Sequence, residues 1–246
     1  MKKIVVFAAF LIGLSTLAEA QQAVRFGFQV SPAFNWMSTD KNSISTNGTN
    51  LGLKMGLMGE FYFQENYALA TGLGFSFNSG GTLLHSNTGI YWANSEVPAD
   101  CAFFMEERQA PNLKYSIQYV EIPIGLKMRT REFGYIRYFM EPNVGIGFRT
   151  QAKGDIRNAD DAEECNDINI RPDVRLLNLF WGLNGGIEYS VSESTSLVAG
   201  IGLQFGFTDV TKDDDTVYLD NSVSNQDAEE SKGVARGVVL RLGVLF

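Results

Sequence analysis

Leu51-Gly52-Leu53-Lys54-Met55-Gly56-Leu57-Met58-Gly59-Glu60-Phe61-Tyr62-Phe63, then Gln64-Glu65-Asn66, then Tyr67-Ala68-Leu69-Ala70-Thr71-Gly72-Leu73-Gly74-Phe75-Ser76-Phe77, is the stretch that decides the fold. Odd positions are large and apolar in both halves except Gly59 and Thr71; even positions are Gly, Ala, Ser, Lys or Glu except Met58 and Tyr62. A period of two is the pattern of a strand with two different faces, and two such runs joined by three polar residues form a hairpin.

The same alternation recurs in both directions along the chain. It runs through Phe26, Phe28, Val30, Phe34 and Trp36; Val120, Ile122, Ile124, Leu126 and Met128; and Ile136, Tyr138, Met140, Val144, Ile146 and Phe148. Three further runs are Leu179, Trp181, Leu183, Ile187 and Tyr189; Leu197, Ala199, Ile201, Leu203, Phe205 and Phe207; and Val238, Leu240, Leu242, Val244 and Phe246. The total is eight strands. Connections 64–66, 130–134 and 190–194 are short, while 37–50, 78–113, 150–174 and 210–233 are long. The short and long ends therefore lie on opposite sides, as in outer-membrane barrels with short periplasmic turns and longer extracellular loops.

The orientation of the faces follows from size and charge. The faces opposite the apolar ones carry Arg25, Lys54, Glu60, Glu121, Lys127, Arg129, Arg137, Glu141, Arg149, Glu188 and Arg241; the apolar faces carry only Arg236, near a strand start. A charge facing lipid at mid-depth costs about 2–4 kcal/mol. An eight-stranded barrel has an interior just wide enough for side chains, so this many large apolar groups do not fit inside it, whereas the Gly-rich polar face does. The reading is an all-β, eight-stranded antiparallel up-and-down transmembrane β-barrel, with its greasy residues toward acyl chains and both termini in the periplasm. Aromatics cluster at both strand ends, Phe61, Phe63, Tyr67, Tyr189 and Phe246 at one and Phe34, Trp36, Phe75, Phe77, Phe148, Phe205 and Phe207 at the other, as interfacial girdles.

Composition is consistent with this and narrows function. The chain has 246 residues, 45% hydrophobic, with 25 Gly, 18 Phe and only 6 Pro. A net charge of -8 argues against a phosphate-backbone partner, so no nucleic acid is expected. Met1-Lys2-Lys3, an apolar run over 4–17 and Ala18-Glu19-Ala20 read as a signal peptide, 1–20, removed before Gln21, leaving 21–246 as the barrel domain.

Lys54, Glu60, Glu121, Lys127, Arg137, Glu141, Glu188 and Arg241 are expected to form a lumen charge network, because buried charges must be paired. Glu121 and Glu141 are expected to meet Lys127, Arg137 or Arg241; the network reads as a structural plug, with an ion path as the alternative. No catalytic, cofactor or metal site is expected, and the protein reads as no enzyme. One His and two Cys leave little for metal chemistry, and acid/base work needs a pocket that a packed lumen lacks. His85-Ser86 lies in a long connection without an orienting third group. Gly145-Ile146-Gly147 and Gly200-Ile201-Gly202 lack a strand-to-helix phosphate-binding context and read as lumen-facing or kink positions. Cys101 and Cys165 lie in the second and third long connections on the oxidising side; a disulfide and two free thiols are both open. Residues 151–174 and 211–232 each hold seven Asp/Glu, read as solvated faces, with divalent-ion bridging to lipopolysaccharide phosphate next.

A signal peptide, eight strands, Tyr119-Val120-Glu121-Ile122-Pro123-Ile124 in the fourth strand and a final Phe246 resemble the PorT-like outer-membrane β-barrel family of Bacteroidetes across the whole mature chain. The resemblance implies a multi-pass outer-membrane location in contact with lipid and lipopolysaccharide. It also implies that Val244 and Phe246 are read by the barrel assembly machinery. The founding member's link to type IX secretion implies possible envelope or secretion partners. The functional expectation is a monomeric barrel with a structural, adhesion or assembly role through its extracellular loops; the alternatives are a secretion accessory and a lipid-modifying enzyme.

Overall fold

A computed structural model of the protein describes residues 24–108, 110–157, 165–219 and 222–246. The signal-peptide reading of 1–20, and the acidic residues Asp160, Asp161, Glu163, Glu164 and Asp220, lie outside the described residues. No described helix is long and apolar enough to cross a membrane.

Eight long strands close on themselves: β1 (Val24–Ser38), β2 (Asn50–Gln64), β3 (Tyr67–His85), β4 (Asn112–Arg129), β5 (Ile136–Ile156), β6 (Leu177–Ser190), β7 (Ser196–Gly206) and β8 (Val234–Leu245). Each pairs antiparallel with its sequence neighbour, and β1 pairs with β8 to complete the barrel, Gly27 opposite Leu245 and Phe34 opposite Val238. The faces point as the alternation implies. Phe26, Phe28, Val30, Leu57, Leu73, Ile124, Val144, Ile201 and Leu242 are exposed on the wall, while Arg25, Lys54, Glu60, Glu121, Lys127, Glu141 and Glu188 are buried inside. Aromatic pairs mark the two edges: Phe63 stacks on Tyr67 and Tyr135 tilts against Tyr189 at the short-turn end, and Trp181 stacks on Phe205 at 4.8 Å at the other.

The long connections depart from the expectation of solvated loops. Three neighbouring strands run past the membrane band: β3 has 19 residues, β4 has 18 and β5 has 21, against 11 for β7. Segments expected to be loop, 78–85, 112–113 and 150–156, are therefore strand. A short strand, Ile44–Thr46, pairs with Leu83–His85 on one flank, and Ile168–Asn169 pairs with Lys153–Gly154 on the other. Above them Gly89–Ile90, Thr216–Tyr218 and Gln226–Ala228 form a separate three-stranded sheet joining the second and fourth connections. A helix over Ala99–Phe103 starts where the extended Pro98 precedes it.

These pieces enclose their own apolar core: Met37, Ile44, Leu83, Trp92, Phe104, Met105, Leu113, Tyr115, Ile117, Ile156, Ile168 and Ile170 pack as one cluster. Trp92 is the largest of these fully buried side chains and meets Tyr115 edge-on at 5.7 Å. Gly154 makes room for it, since a Cβ there would lie 2.4 Å from Trp92 Cη2. The extracellular end is thus a folded cap.

Two bulges create it. Against Ile117–Tyr119 of β4, β3 places Ser76 and Ser79 with an extra residue between them, Asn78 at φ 55°. Against Gln118–Tyr119, β5 places Gln151 and Arg149, with Thr150 extra. One added residue turns every following side chain to the other face. In β3 the odd residues Leu73 and Phe75 face out below the bulge, and the odd residue Leu83 faces in above it. In β5 the even residues Val144 and Phe148 face out below, and Ala152, Gly154 and Ile156 face in above. β4 has no bulge on its own side and its odd residues face inward throughout, Leu113, Tyr115, Ile117 and Tyr119 above and Glu121 and Lys127 below; what switches at Tyr119-Val120 is which face carries the apolar residues.

Candidate functional site

The lower lumen is organised around Lys127. Its ammonium contacts Glu60 and Glu188, and Arg25 and Arg129 also face Glu188, at 3.4 and 3.6 Å. Tyr62 donates its hydroxyl to Glu60, and the Arg129 guanidinium lies over the Tyr62 ring at 4.1 Å. Higher up, Arg241 meets Glu141 at 3.0 Å, and Asn184 donates to the same carboxylate oxygen. Highest is Lys54, which meets both oxygens of Glu121 at 2.9 and 2.7 Å and also donates to Gln204. Five cations therefore face four glutamates among the described lumen residues, with amide partners for the remaining lone pairs and protons. That is what charges removed from water need if they are to be retained.

These contacts correct two expectations. Glu121 meets Lys54 and not Lys127, because Lys54 on β2 and Glu121 on β4 look across β3 at the same height. Arg137 stands outside the network; it pairs with Glu132 at 2.6 Å at the half-exposed periplasmic mouth. Arg149 does not join it either, and donates to the carbonyls of Arg171 and Val174 beneath the cap. The expectation of Glu141 with Arg241 matches the contact seen. Arg25, Arg129, Asn184 and Gln204 complete the network, and only the two arginines carried a charge signal in the alternation. Between the upper and middle pairs lies a pocket of about 80 Å³ lined by Lys54, Glu121, Glu141, Asn184, Gln204 and Arg241, polar enough to hold water.

The cap carries the second set of residues. Cys101 and Cys165 are joined in a disulfide, buried in the cap core, across the second and third connections. His85 is not an exposed loop residue. It ends β3 facing inward, 4% exposed, with its ring 4.3 Å from that of Tyr91. Burial pulls its pKa down to about 3, so the ring is neutral.

Part of the acidic content is likewise internal, contrary to the solvated-face reading. Asp173 accepts from the Asn94 backbone and side-chain amides at 2.9 Å and from Ser95. Asp215 is buried against the Ala93 amide; burial first, and then the charges of Asp173 and Glu229, push its pKa up to about 7. Asp209 accepts from Thr211 and Gly233 amides and faces Arg175. These carboxylates brace the segments that place Trp92. Among the described residues no group of three His, Cys, Asp or Glu could hold a metal ion.

Gly145 and Gly202 lie on the inward face, where a Cβ would strike the Phe180 ring or the Asn184 amide. At the C-terminus Val244 lies opposite Phe28 and Leu197, and Phe246 exchanges backbone hydrogen bonds with Phe26, its ring exposed.

Comparison with known proteins agrees with this architecture. The sequence model described as "Outer membrane protein beta-barrel domain" matches residues 19–212. No curated protein matches the sequence significantly. Solved structures similar to the chain include Neisserial surface protein A, at 11% identity and TM-score 0.44, covering 91% of this chain and 96% of that one. They also include OprG from Pseudomonas aeruginosa, at 10% identity and TM-score 0.47, covering 91% and 96%. A third is a major outer membrane protein from Thermus thermophilus, at 13% identity and TM-score 0.42, covering 91% and 98%. The chain belongs to the outer membrane protein beta-barrel domain family and is an outer-membrane β-barrel.

Proposed function

We propose that the barrel is a closed scaffold whose working part is the extracellular cap, used for adhesion or for assembly with other envelope components. The observation that carries this reading is the cap's own core and buried disulfide at the barrel mouth. A bare membrane anchor needs neither. The charge network below serves as a plug, held by paired side chains rather than by an open path. Residues 1–20 act as a removable signal peptide, Val244 and Phe246 are read by the assembly machinery, and outer-leaflet lipopolysaccharide surrounds the wall.

The test is whole-cell adhesion together with planar-bilayer conductance. Trp92→Ala is expected to open the cap and abolish adhesion while leaving the amount of barrel in the membrane unchanged. Adhesion that survives the opened cap, or large steady currents from the wild-type protein, would overturn the reading.

A PorT-like identity with a secretion role is the second reading, and it rests on Tyr119-Val120-Glu121-Ile122-Pro123-Ile124. In that motif Tyr119 is buried under the cap, Glu121 is bonded to Lys54, and Ile122 and Ile124 face lipid, so its residues serve the barrel itself. A deletion strain scored for secretion separates the two readings. No catalytic role is proposed for His85, which lies inside the cap and away from the lipid face; His85→Ala is expected to leave lipid A unmodified relative to wild type.

A further inference from the structure

Between the first, second and fourth connections the cap holds a pocket of about 160 Å³, lined by Lys41, Ser43, His85, Asn87, Asp227 and Glu229, with Ile44, Val217 and Leu219 as its apolar part. His85 lines it, and the buried Nδ1 and Nε2 of its ring have no hydrogen-bond partner among the described residues. A neutral imidazole carries one donor and one acceptor, and leaving both unmatched in a buried position is costly. Orphans of this kind are rare in native interiors and call for a specific cause. Tyr119 Oη is an orphan too, but it does not line this pocket.

The lining chooses among ligand classes. Two carboxylates against one ammonium disfavour an anion such as a phosphate or sulfate. Each carboxylate already spends one oxygen on a backbone amide: Asp227 Oδ1 accepts from Ala228 at 2.9 Å and Glu229 Oε1 from Ser231 at 2.8 Å. With Lys41 on the same wall, a free cation is poorly matched. What remains is a group that donates and accepts at every position, which is a hydroxyl. The neutral ring, the remaining carboxylate oxygens, the Ser and Asn side chains and the ammonium all pair with hydroxyls, and the three aliphatic side chains offer surface for C–H edges. At about 160 Å³ the space is smaller than the pockets that take drug-sized ligands and limits the occupant to one small group.

We propose that this pocket takes an uncharged polyhydroxy ligand, the terminal sugar of a surface glycan, with His85 and Asp227 bonding adjacent hydroxyls. The proposal rests on the reading of the cap as the working part, and names its ligand.

The test uses the full chain in lipid nanodiscs against immobilised neutral saccharides, sialylated and sulfated saccharides and polyamines. Neutral saccharides are expected to bind; His85→Phe, which keeps a ring against Tyr91 but loses both nitrogens, weakens binding about tenfold or more. Asp227→Asn, at an exposed position where folding is not at stake, is expected to weaken it several-fold, and Arg137→Ala at the periplasmic mouth leaves it unchanged. Binding of only the anionic saccharides or only the polyamines, no binding at all, or wild-type affinity in both His85→Phe and Asp227→Asn would overturn the proposal. If adhesion is lost on Trp92→Ala but no saccharide binds, the pocket assignment alone fails; if adhesion is indifferent to the cap, the broader reading fails with it.

Discussion

The two halves of this molecule are built inside out relative to each other. Below the level of Asn78 and Thr150, Phe75, Val144 and Leu73 face outward and Lys127, Glu60, Glu188 and Glu141 fill the interior. Above it, Leu83, Ile117, Tyr115 and Ile156 fill the interior. The same three strands, β3, β4 and β5, carry both arrangements. What changes is the solvent outside: acyl chains below, where an outward charge costs most, and water above, where burying apolar groups is favourable. A strand's alternation therefore says only that its faces differ; the surroundings decide which one is inside.

The difference can be broken from either side. The largest effect is expected in the lower half, where Lys127→Met leaves Glu60 and Glu188 facing each other without their shared ammonium. Removing one partner of a buried pair costs about 3–5 kcal/mol. A lowered urea midpoint for the whole barrel in detergent is the expected result.

Next is the disulfide. Cys101→Ser with Cys165→Ser releases a link across 64 residues, worth on the order of 4 kcal/mol in unfolded-chain entropy. This loss should be confined to the cap: faster extracellular proteolysis, with the barrel's urea midpoint little changed.

A smaller, pH-dependent effect comes from two buried cap groups with opposite signs. In the fold Asp215 keeps a proton that the unfolded chain has lost, so its contribution is complete below its ordinary value of 3.8 and is lost as pH rises toward about 7. His85 stays neutral in the fold while the unfolded ring protonates below 6.5, so its contribution is complete above 6.5 and is lost as pH falls toward about 3. Between 3.8 and 6.5 the two slopes cancel; just above 6.5 only that of Asp215 remains. Cap proteolysis is expected to be nearly flat between pH 3.8 and 6.5, to quicken from 6.5 to about 7, and to level off above that. Asp215→Asn should abolish that quickening and expose the His85 slope, about 1.4 kcal/mol per pH unit at its steepest.

The smallest effect is expected at the periplasmic mouth. Arg137→Ala breaks a half-exposed pair with Glu132 and should shift the urea midpoint by less than about 1 kcal/mol.

The lower half was legible in the sequence because period two, charge placement and side-chain size all agree there. Phe26 to Phe34 and Leu51 to Phe61 carry no bulge to disturb the alternation. The cap was not legible, for a definite reason. In β3 Leu69, Leu73, Phe75, Phe77 and Leu83 are all odd, and only the extra residue at Asn78 turns Leu83 inward; their spacing does not mark that residue. The same holds for Thr150 before Ala152 and Ile156. Within the lumen, residue type announced that charges would pair but not with which partner. Lys54 and Glu121 meet across an intervening strand, a relation set by the register of two hairpins. Asp173 and Asp215 looked like parts of acidic, solvated runs, and only the burial of Trp92 beside them turns them into braces.

The inversion itself is tested most directly by nitroxide labels at Phe75 and Leu83, which are eight residues and one bulge apart on β3, in protein reconstituted in bilayers. The Phe75 label should be relaxed strongly by oxygen dissolved in lipid, and the Leu83 label should be shielded from both oxygen and a water-soluble nickel chelate. A Leu83 label as open to lipid as that at Phe75, or fully open to the chelate, would contradict the inside-out cap.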